Sequence, residues 1–222
     1  MTQSIAWDVS VFVIPLFLSI ILHEIAHGWA AALCGDTTAK RMGRLTLNPI
    51  AHIDPVGSIL LPALLLITRS GFMFGWAKPV PVNFQALNDE KKDMGLVALA
   101  GPLMNFVLAL CATLVMVLCW GNKIAPSSMF SLWMYDTLRA FISVNIGLCA
   151  FNLFPLLPLD GGRIVVSILP KALSEKYAQT ERYGIVILLI IIFVLPNLGL
   201  DILHPYVLWI AQGLVDIIKF IV

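Results

Sequence analysis

Long apolar stretches alternate with short polar connections along this chain. A run of about 20 apolar residues forms a helix that spans a hydrocarbon core of roughly 30 Å. The stretches that suit such a helix are Val11–Leu33, Met94–Trp120, Phe130–Leu157, Tyr183–Leu200 and His204–Val222. The pattern therefore predicts an all-α polytopic membrane protein whose last two stretches are C-terminal transmembrane helices.

Three other segments lie between the first two predicted spans. Val56–Thr68 has thirteen residues, including Gly57 and Pro62, so it suits a re-entrant or interfacial segment, and whether it crosses the membrane stays open. Two prolines favour an extended backbone over Lys78–Asn83, which is either an edge for strand addition by a substrate or a plain connecting loop. The alternation in Leu45–Ile50 predicts a short strand.

Composition supports a membrane protein. Of the 222 residues, 59% are hydrophobic and 12% are charged, and the mean hydropathy is +0.92. Soluble domains are about 45–50% apolar and about 25% charged. The net charge of +1 provides no electrostatic basis for binding nucleic acid. We therefore expect one membrane-embedded domain over residues 1–222, with the lipid bilayer as a partner and no nucleic acid.

The basic residues indicate how the predicted spans are oriented. We place the N-terminus outside, run Val11–Leu33 inward and let Val56–Thr68 dip without crossing. Twelve of the 14 lysines and arginines then lie on the cytoplasmic side of the cell membrane (inner or plasma), and only Lys123 and Arg139 lie outside, which fits the positive-inside rule. The cytoplasmic residues are Lys40, Arg41, Arg44, Arg69, Lys78, Lys91, Lys92, Arg163, Lys171, Lys176, Arg182 and Lys219.

The first predicted span carries ionisable side chains in its second half. Such a group at mid-membrane costs about 2.5–3.5 kcal/mol on an insertion scale, so it indicates a functional site. His23 and His27 are four residues apart and therefore share one helix face. The pattern His-Glu-x-x-His supplies two zinc ligands, with Glu24 beside them as a general base. The non-functional alternative is a pair of hydrogen-bonded core histidines.

Asp160 is the expected third zinc ligand, since a catalytic zinc takes three protein ligands and one water. Pro155 and Pro158 interrupt the end of the third predicted span, and Asp160 follows on the unwound chain. The first and third spans run in the same direction, so Asp160 reaches the depth of His23 and His27. We expect one Zn²⁺ per chain, with the site toward the cytoplasm. The alternative for Asp160 is a turn at the water interface.

Four further side chains are weaker candidates. His52 and Asp54 either touch the active site or belong to a turn. Asn105 is an amide at membrane depth, expected to bond a neighbouring helix or to contact substrate. Cys34 follows the histidine motif closely enough to be a remote metal neighbour, although small reduced core residues explain all four cysteines.

The order of these motifs resembles the site-2 protease family of intramembrane zinc metalloproteases. The pattern Gly-Pro-x-x-Asn at Gly101–Asn105 and the pattern Asn-x-x-Pro-x-x-Pro-Leu-Asp-Gly-Gly at Asn152–Gly162 follow the histidine motif at His23–His27. Two other segments, Gly43–Pro49 and Gly75–Asn83, resemble the short bacterial and archaeal branch without a PDZ or CBS domain.

The resemblance implies a three-helix catalytic core over residues of about 10–165 and hydrolysis of peptide bonds in or near transmembrane segments. In that family pattern zinc is held by His23, His27 and Asp160, and Glu24 is the catalytic acid and base. Asn152 would contact the substrate backbone or oxyanion. The implied partner is a transmembrane protein substrate cleaved in regulated intramembrane proteolysis.

Two other functions fit the same ligands. A non-proteolytic membrane protein could use them for metal transport or for a structural metal. An open fourth position and a glutamate beside the metal favour catalysis, and the chain has no inverted repeat typical of transporters. An inactive relative could also act as a binding scaffold. The resemblance assigns no role to the helices of about 183–222, and the pattern selects no particular substrate or oligomeric state.

Overall fold

The computed structural model describes residues 5–60, 64, 67, 77–121 and 128–222, and all regular structure in these residues is helical. Short 3₁₀ or π turns occur at Pro49–His52, Pro55–Leu60, Phe84–Ala86, Ile190–Val194 and Pro196–Leu198. The α-helices with described bounds are α1 Ile5–Leu33, α2 Thr38–Arg41, α3 Glu90–Trp120, α4 Met129–Asn152, α5 Asp160–Ile168, α6 Lys171–Ala178, α7 Glu181–Leu189 and α8 Leu203–Ile221.

The strand predicted at Leu45–Ile50 is wrong, because local bonds occupy the backbone there. The Thr46 carbonyl bonds the His52 ring, and the Asn48 side chain accepts from the Ile50 N–H. A 3₁₀ turn begins at Pro49, which has no N–H for a sheet ladder.

The predicted re-entrant segment is described only in part. Its first residues belong to the π turn Pro55–Leu60. Residues 61–63, 65–66 and 68 lie outside the described residues, so the re-entrant path stays a prediction.

Helices α1, α3 and α4 pack together, and their side-chain bonds give their relative directions. Ser10 near the start of α1 bonds Trp133 near the start of α4, and the later Ser19 bonds the later Asn145. Helices α1 and α4 therefore run parallel. On α3, Val97 bonds His27, whereas the later Asn105 bonds His23, so α3 runs antiparallel to α1. The parallel course expected for the first and third apolar stretches is therefore present in the fold.

The molecule has the surface of a membrane protein. Two described helical segments, Val9–Leu33 and Glu90–Trp120, are long and apolar enough to cross a bilayer. A bent pair, Lys171–Ala178 and Glu181–Val194, passes the same criterion if it is one span broken by 57°. Large apolar side chains of α1 and α3 are exposed, whereas polar ones lie between the helices. The number of spans beyond these stays a prediction.

The chain unwinds after α4, as the two prolines predict. Helix α4 ends at Asn152, and α5 begins at Asp160. Two later helices hold the loop that joins α4 to α5. The Tyr177 hydroxyl of α6 donates to the Pro155 carbonyl and the Tyr206 hydroxyl of α8 donates to the Leu153 carbonyl, each at 2.8 Å. The loop that carries Asp160 is thus held by α6 and α8.

Candidate metal centre

Three ligand-type side chains converge where α1 meets the start of α5. The Nε2 atoms of His23 and His27 lie 3.0 Å apart on one face of α1. Asp160 is the first residue of α5, and its Oδ2 lies 3.2 Å from the His23 Nε2 and 3.3 Å from the His27 Nε2. The fold therefore brings together the three side chains that the sequence predicts as metal ligands.

Hydrogen bonds on the far side of each ring indicate which ring nitrogen carries a hydrogen there and which nitrogen faces this centre. The His27 Nδ1 lies 2.7 Å from the Val97 carbonyl oxygen, which can only accept, so Nδ1 carries the hydrogen. The His23 Nδ1 lies 2.5 Å from the Asn105 Oδ1, which is also an acceptor. In its neutral form, each ring therefore directs an Nε2 lone pair toward Asp160, an arrangement typical of metal-binding histidines.

The donor set fits a divalent cation. Two Nε2 lone pairs and a carboxylate oxygen face one another, and the Asp160 Oδ2 is buried without a hydrogen-bond partner. Three acceptors this close repel one another unless a cation lies among them. Two imidazoles and one carboxylate suit zinc and leave a fourth position open. Among the described residues no other group of three such side chains comes together.

Gly101 allows α3 to approach the two histidines. A Cβ atom at this position would lie 2.3 Å from the His27 Nε2 and 2.5 Å from the His23 Cε1. The glycine in the Gly-Pro-x-x-Asn pattern is therefore explained by steric access to the metal-binding face.

Glu24 lies beside this centre and contacts the extended segment that follows residue 77. Its Oε2 accepts a hydrogen bond of 2.7 Å from the Val80 N–H. The segment over Lys78–Asn83 is not helical, as its prolines predict, and its other end is held by Asp36, whose Oδ2 accepts from the Asn83 N–H at 2.7 Å. Carboxylates at two positions thus fasten the extended segment along α1.

Asp36 lies outside the apolar spans and has no exposed surface. Burial acts to raise the pKa of this carboxyl, but the hydrogen bonds from Thr38 and from the Asn83 N–H outweigh it, so the pKa lies below its ordinary value. Asp36 therefore stays ionised and keeps its hold on the extended segment at neutral pH.

A cavity of about 680 Å³ opens onto the three ligands and Glu24. Asn152 lines it and donates through Nδ2 to the Leu148 carbonyl of its own helix. One wall comes from α7, through Ile185, Leu188 and Leu189, which sequence patterns did not identify. The extended segment also lines the cavity, so its walls include both an apolar helix and an extended backbone.

The weaker candidates are placed away from the cavity. Asn105 is fully buried behind His23, where its side chain also bonds Asn145. His52 is buried and bonds the Thr46 carbonyl, while the Asp54 Oδ1 accepts from two N–H groups of the following turn. Cys34 follows the end of α1 and does not belong to the ligand group. None of these four side chains lines the cavity among the described residues.

The chain is similar in sequence to a family of known peptidases. The family model for Peptidase family M50 matches residues 11–137 and 123–195. "Putative zinc metalloprotease YwhC" of Bacillus subtilis is 40% identical over 197 residues, which are 89% of this chain and 83% of that protein. "Putative zinc metalloprotease Rip2" of Mycolicibacterium smegmatis is 27% identical over 188 residues, 83% of this chain and 68% of that protein.

A third relative is archaeal. "Zinc metalloprotease MJ0392" of Methanocaldococcus jannaschii is 27% identical over 183 residues, which are 82% of this chain and 39% of that protein. No solved structure matches the chain significantly.

Proposed function

The chain belongs to peptidase family M50, the site-2 protease family, and from this premise we propose that it is an endopeptidase that cleaves substrate proteins in or near their transmembrane segments. It is a membrane metalloprotease, and its relatives are named for zinc. The observation that carries the proposal is the group of three converging acceptor atoms, with Glu24 beside it on the same cavity.

In this proposal one zinc ion is held by His23, His27 and Asp160. Zinc supplies Lewis-acid chemistry, since it polarises a carbonyl oxygen and makes water more acidic. The convergence of the two Nε2 lone pairs with the Asp160 Oδ2 supports these residues as the ligands. The unpartnered Oδ2 is the strongest single sign that a cation belongs there.

Glu24 acts as the general base and then as the general acid. Its carboxylate takes a proton from the attacking water and returns it to the leaving nitrogen. The Val80 N–H holds Oε2, which orients the carboxylate, and we assign the proton transfer to Oε1. This bond also explains why the base lies beside the extended segment, where the substrate backbone is expected to pass.

The cavity supports a substrate that enters as unwound backbone. A transmembrane helix hides its peptide bonds, so the substrate must open locally before attack. The N–H groups of Lys78, Val80 and Asn83 already donate within the protein, so strand addition to the extended segment would use the Val82 N–H and the segment's carbonyl oxygens. Asn152, which also lines the cavity, is proposed to contact the substrate backbone or oxyanion. The apolar wall from α7 suits the side chains of a membrane helix.

The proposal includes an orientation in the cell membrane. The N-terminus lies outside and the metal centre lies toward the cytoplasm, where water can reach it. The 12 basic residues that this scheme places inside support it. The proposed role is therefore regulated intramembrane proteolysis from the cytoplasmic side.

The test compares wild type with Glu24→Gln on a single-span membrane protein whose transmembrane helix contains glycine or proline. Loss of the general base is expected to reduce cleavage by about 10²–10⁴-fold. Zinc content, measured by elemental analysis, is expected to stay equal because Glu24 is not a proposed ligand. Glu90→Gln, at the exposed start of α3, is the control and should cleave normally.

Undiminished cleavage by Glu24→Gln would contradict this role of the glutamate. Zinc flux into proteoliposomes without cleavage of any such substrate would contradict the proteolytic proposal and support metal transport instead.

A further inference from the structure

We propose that Asn145 and Ser19 are positioning residues, which orient the Asn105 carboxamide and thereby hold His23 in the tautomer that binds metal. The inference rests on the proposed metal centre. It assigns a function to two polar side chains that belong to none of the motifs and do not line the cavity.

Four side chains from three helices form a continuous chain of hydrogen bonds that ends at His23. The Ser19 hydroxyl donates to the Pro15 carbonyl at 2.7 Å, and its oxygen accepts from the Asn145 Nδ2 at 2.7 Å. The Asn145 Oδ1 accepts from the Asn105 Nδ2 at 2.9 Å. The Asn105 Oδ1 then lies 2.5 Å from the His23 Nδ1. Each group therefore donates to the next one in a single direction, from His23 through Asn105, Asn145 and Ser19 to the Pro15 carbonyl.

Backbone carbonyls determine the orientation of the Asn145 amide. Its Nδ2 lies 2.8 Å from the Phe141 carbonyl oxygen, which can only accept. The Ser19 hydroxyl has its hydrogen committed to a carbonyl, so it too can only accept. The amide nitrogen of Asn145 must therefore face these two groups, and its oxygen must face Asn105.

The same reasoning determines the orientation of Asn105. Its Nδ2 faces the Asn145 Oδ1 and, at 3.4 Å, the Ser19 carbonyl oxygen, and both are acceptors. The Asn105 Oδ1 is left to face His23, so the ring must carry its hydrogen on Nδ1. Its Nε2 then has a free lone pair toward Asp160, as a metal ligand requires.

Complete burial makes this arrangement specific. Ser19, Asn105 and Asn145 have no exposed surface, so water cannot replace a lost partner. A flipped Asn105 amide would set its nitrogen against the N–H of His23 and its oxygen against the Asn145 oxygen. Both contacts are repulsive, so one state of the chain satisfies every group.

The alternative is that these amides only join the helices and do not orient His23. A control variant on the same helix separates these two roles. Thr137 lies on the same helix as Asn145, and its hydroxyl donates to the Trp133 carbonyl four residues earlier. Asn145 makes the equivalent bond to Phe141. Thr137→Val therefore removes the same kind of local bond without touching the chain to His23.

The experiment measures zinc affinity of the purified full-length protein in detergent, by competition with a chelator after metal removal. Outer-sphere partners of metal ligands contribute about 10–100-fold to affinity. We expect Asn145→Leu to weaken zinc binding at least tenfold on this scale, and Thr137→Val to bind as wild type does.

A second readout is the tautomer itself. Nitrogen NMR of ¹⁵N-histidine in the metal-free protein distinguishes Nδ1–H from Nε2–H, and the chain has only four histidines to assign. His23 is expected to be Nδ1–H in wild type and a mixture of tautomers in Asn145→Leu. Ser19→Ala, a smaller change, carries the same test if Asn145→Leu does not fold.

Wild-type zinc affinity in a folded Asn145→Leu or Ser19→Ala protein would overturn the inference, and so would an unchanged His23 tautomer. Absence of zinc binding by the wild-type protein would overturn the metal centre as well. Failure of the inference alone leaves the wild-type protein able to bind zinc, so the two failures are distinguishable.

Discussion

At the metal centre, the close packing of α3 against the histidine rings matters as well as the chemistry of the ligands. The two histidines are supported from behind by Asn105 and the Val97 carbonyl, so neither ring can turn away easily. Gly101 leaves the space in which the rings lie. The ligand geometry thus depends on the absence of a side chain at one position of α3.

Gly101→Ala is expected to impair the metal centre without altering any ligand. The new methyl group would lie within 2.5 Å of both rings, and their hydrogen bonds prevent a simple retreat. Zinc affinity should fall at least about tenfold, as for other changes that displace a ligand. Chelator competition on the purified protein measures it.

Gly147→Ala is the matched control for that change. Gly147 also lies within a long helix, but a Cβ atom there would meet nothing within 4 Å. This variant should bind zinc as wild type does and gain slightly in stability, since alanine favours a helix over glycine by about 0.5–1 kcal/mol. Equal zinc affinity in both alanine variants would contradict the steric explanation.

At the scale of elements, the C-terminal helices complete the site. Helix α7 forms a wall of the cavity, and the tyrosines of α6 and α8 hold the loop before Asp160. Helix α7 reaches this loop through Gly184, where a Cβ atom would lie 2.1 Å from the Leu157 carbonyl oxygen. A region for which the motifs predict no role therefore supports the third ligand.

Gly184→Ala is expected to push α7 away from the loop. The two nearest obstructing atoms belong to the Leu157 backbone, so they cannot move aside as a flexible side chain would. Overpacking of this kind costs about 1–3 kcal/mol, which should lower the thermal midpoint and the rate of cleavage together. Gly213→Ala, with nothing within 4 Å on α8, is the control. A wild-type midpoint for Gly184→Ala would show that α7 is not docked in this way.

At the scale of the whole molecule, polar and apolar positions are inverted relative to a soluble protein. Buried Ser19, Asn105 and Asn145 join the helices, whereas apolar side chains such as Phe12 and Leu103 are exposed. In a bilayer, lipid covers the apolar surface, and the buried amides find partners only in neighbouring helices. The internal polar chain and the metal centre thus occupy the region from which lipid is excluded.

The proposed topology makes a prediction about the two sides of the membrane. Green fluorescent protein fused after Val222 should fluoresce, because the C-terminus is expected in the cytoplasm. Alkaline phosphatase fused after Ser128 should be active, because that connection is expected outside. Measured in a bacterial host with immunoblots for expression, the reverse pattern would contradict the orientation derived from the basic residues.

Much of the site is predictable from the sequence, because it rests on local residue spacing or on polar side chains that are costly to bury. The spacing of His23 and His27 places them on one face of any helix. A carboxylate at the depth of those rings needs a partner, so the sequence indicates Asp160 as the third ligand. The prolines after α4 predicted the unwound loop for an equally local reason, and the extended form of Lys78–Asn83 followed from the same property of proline.

Backbone preference and residue spacing act within a few positions of the chain, so the sequence alone predicts the apolar helices, the histidine pair and the unwound end of α4. Helix packing selects the groups on other elements that Glu24, Asn105 and Asn145 bond. These partners lie 40 to 126 positions away along the chain. The alternation at Leu45–Ile50 failed for the same reason, since a strand needs a distant partner and local bonds occupied its backbone first.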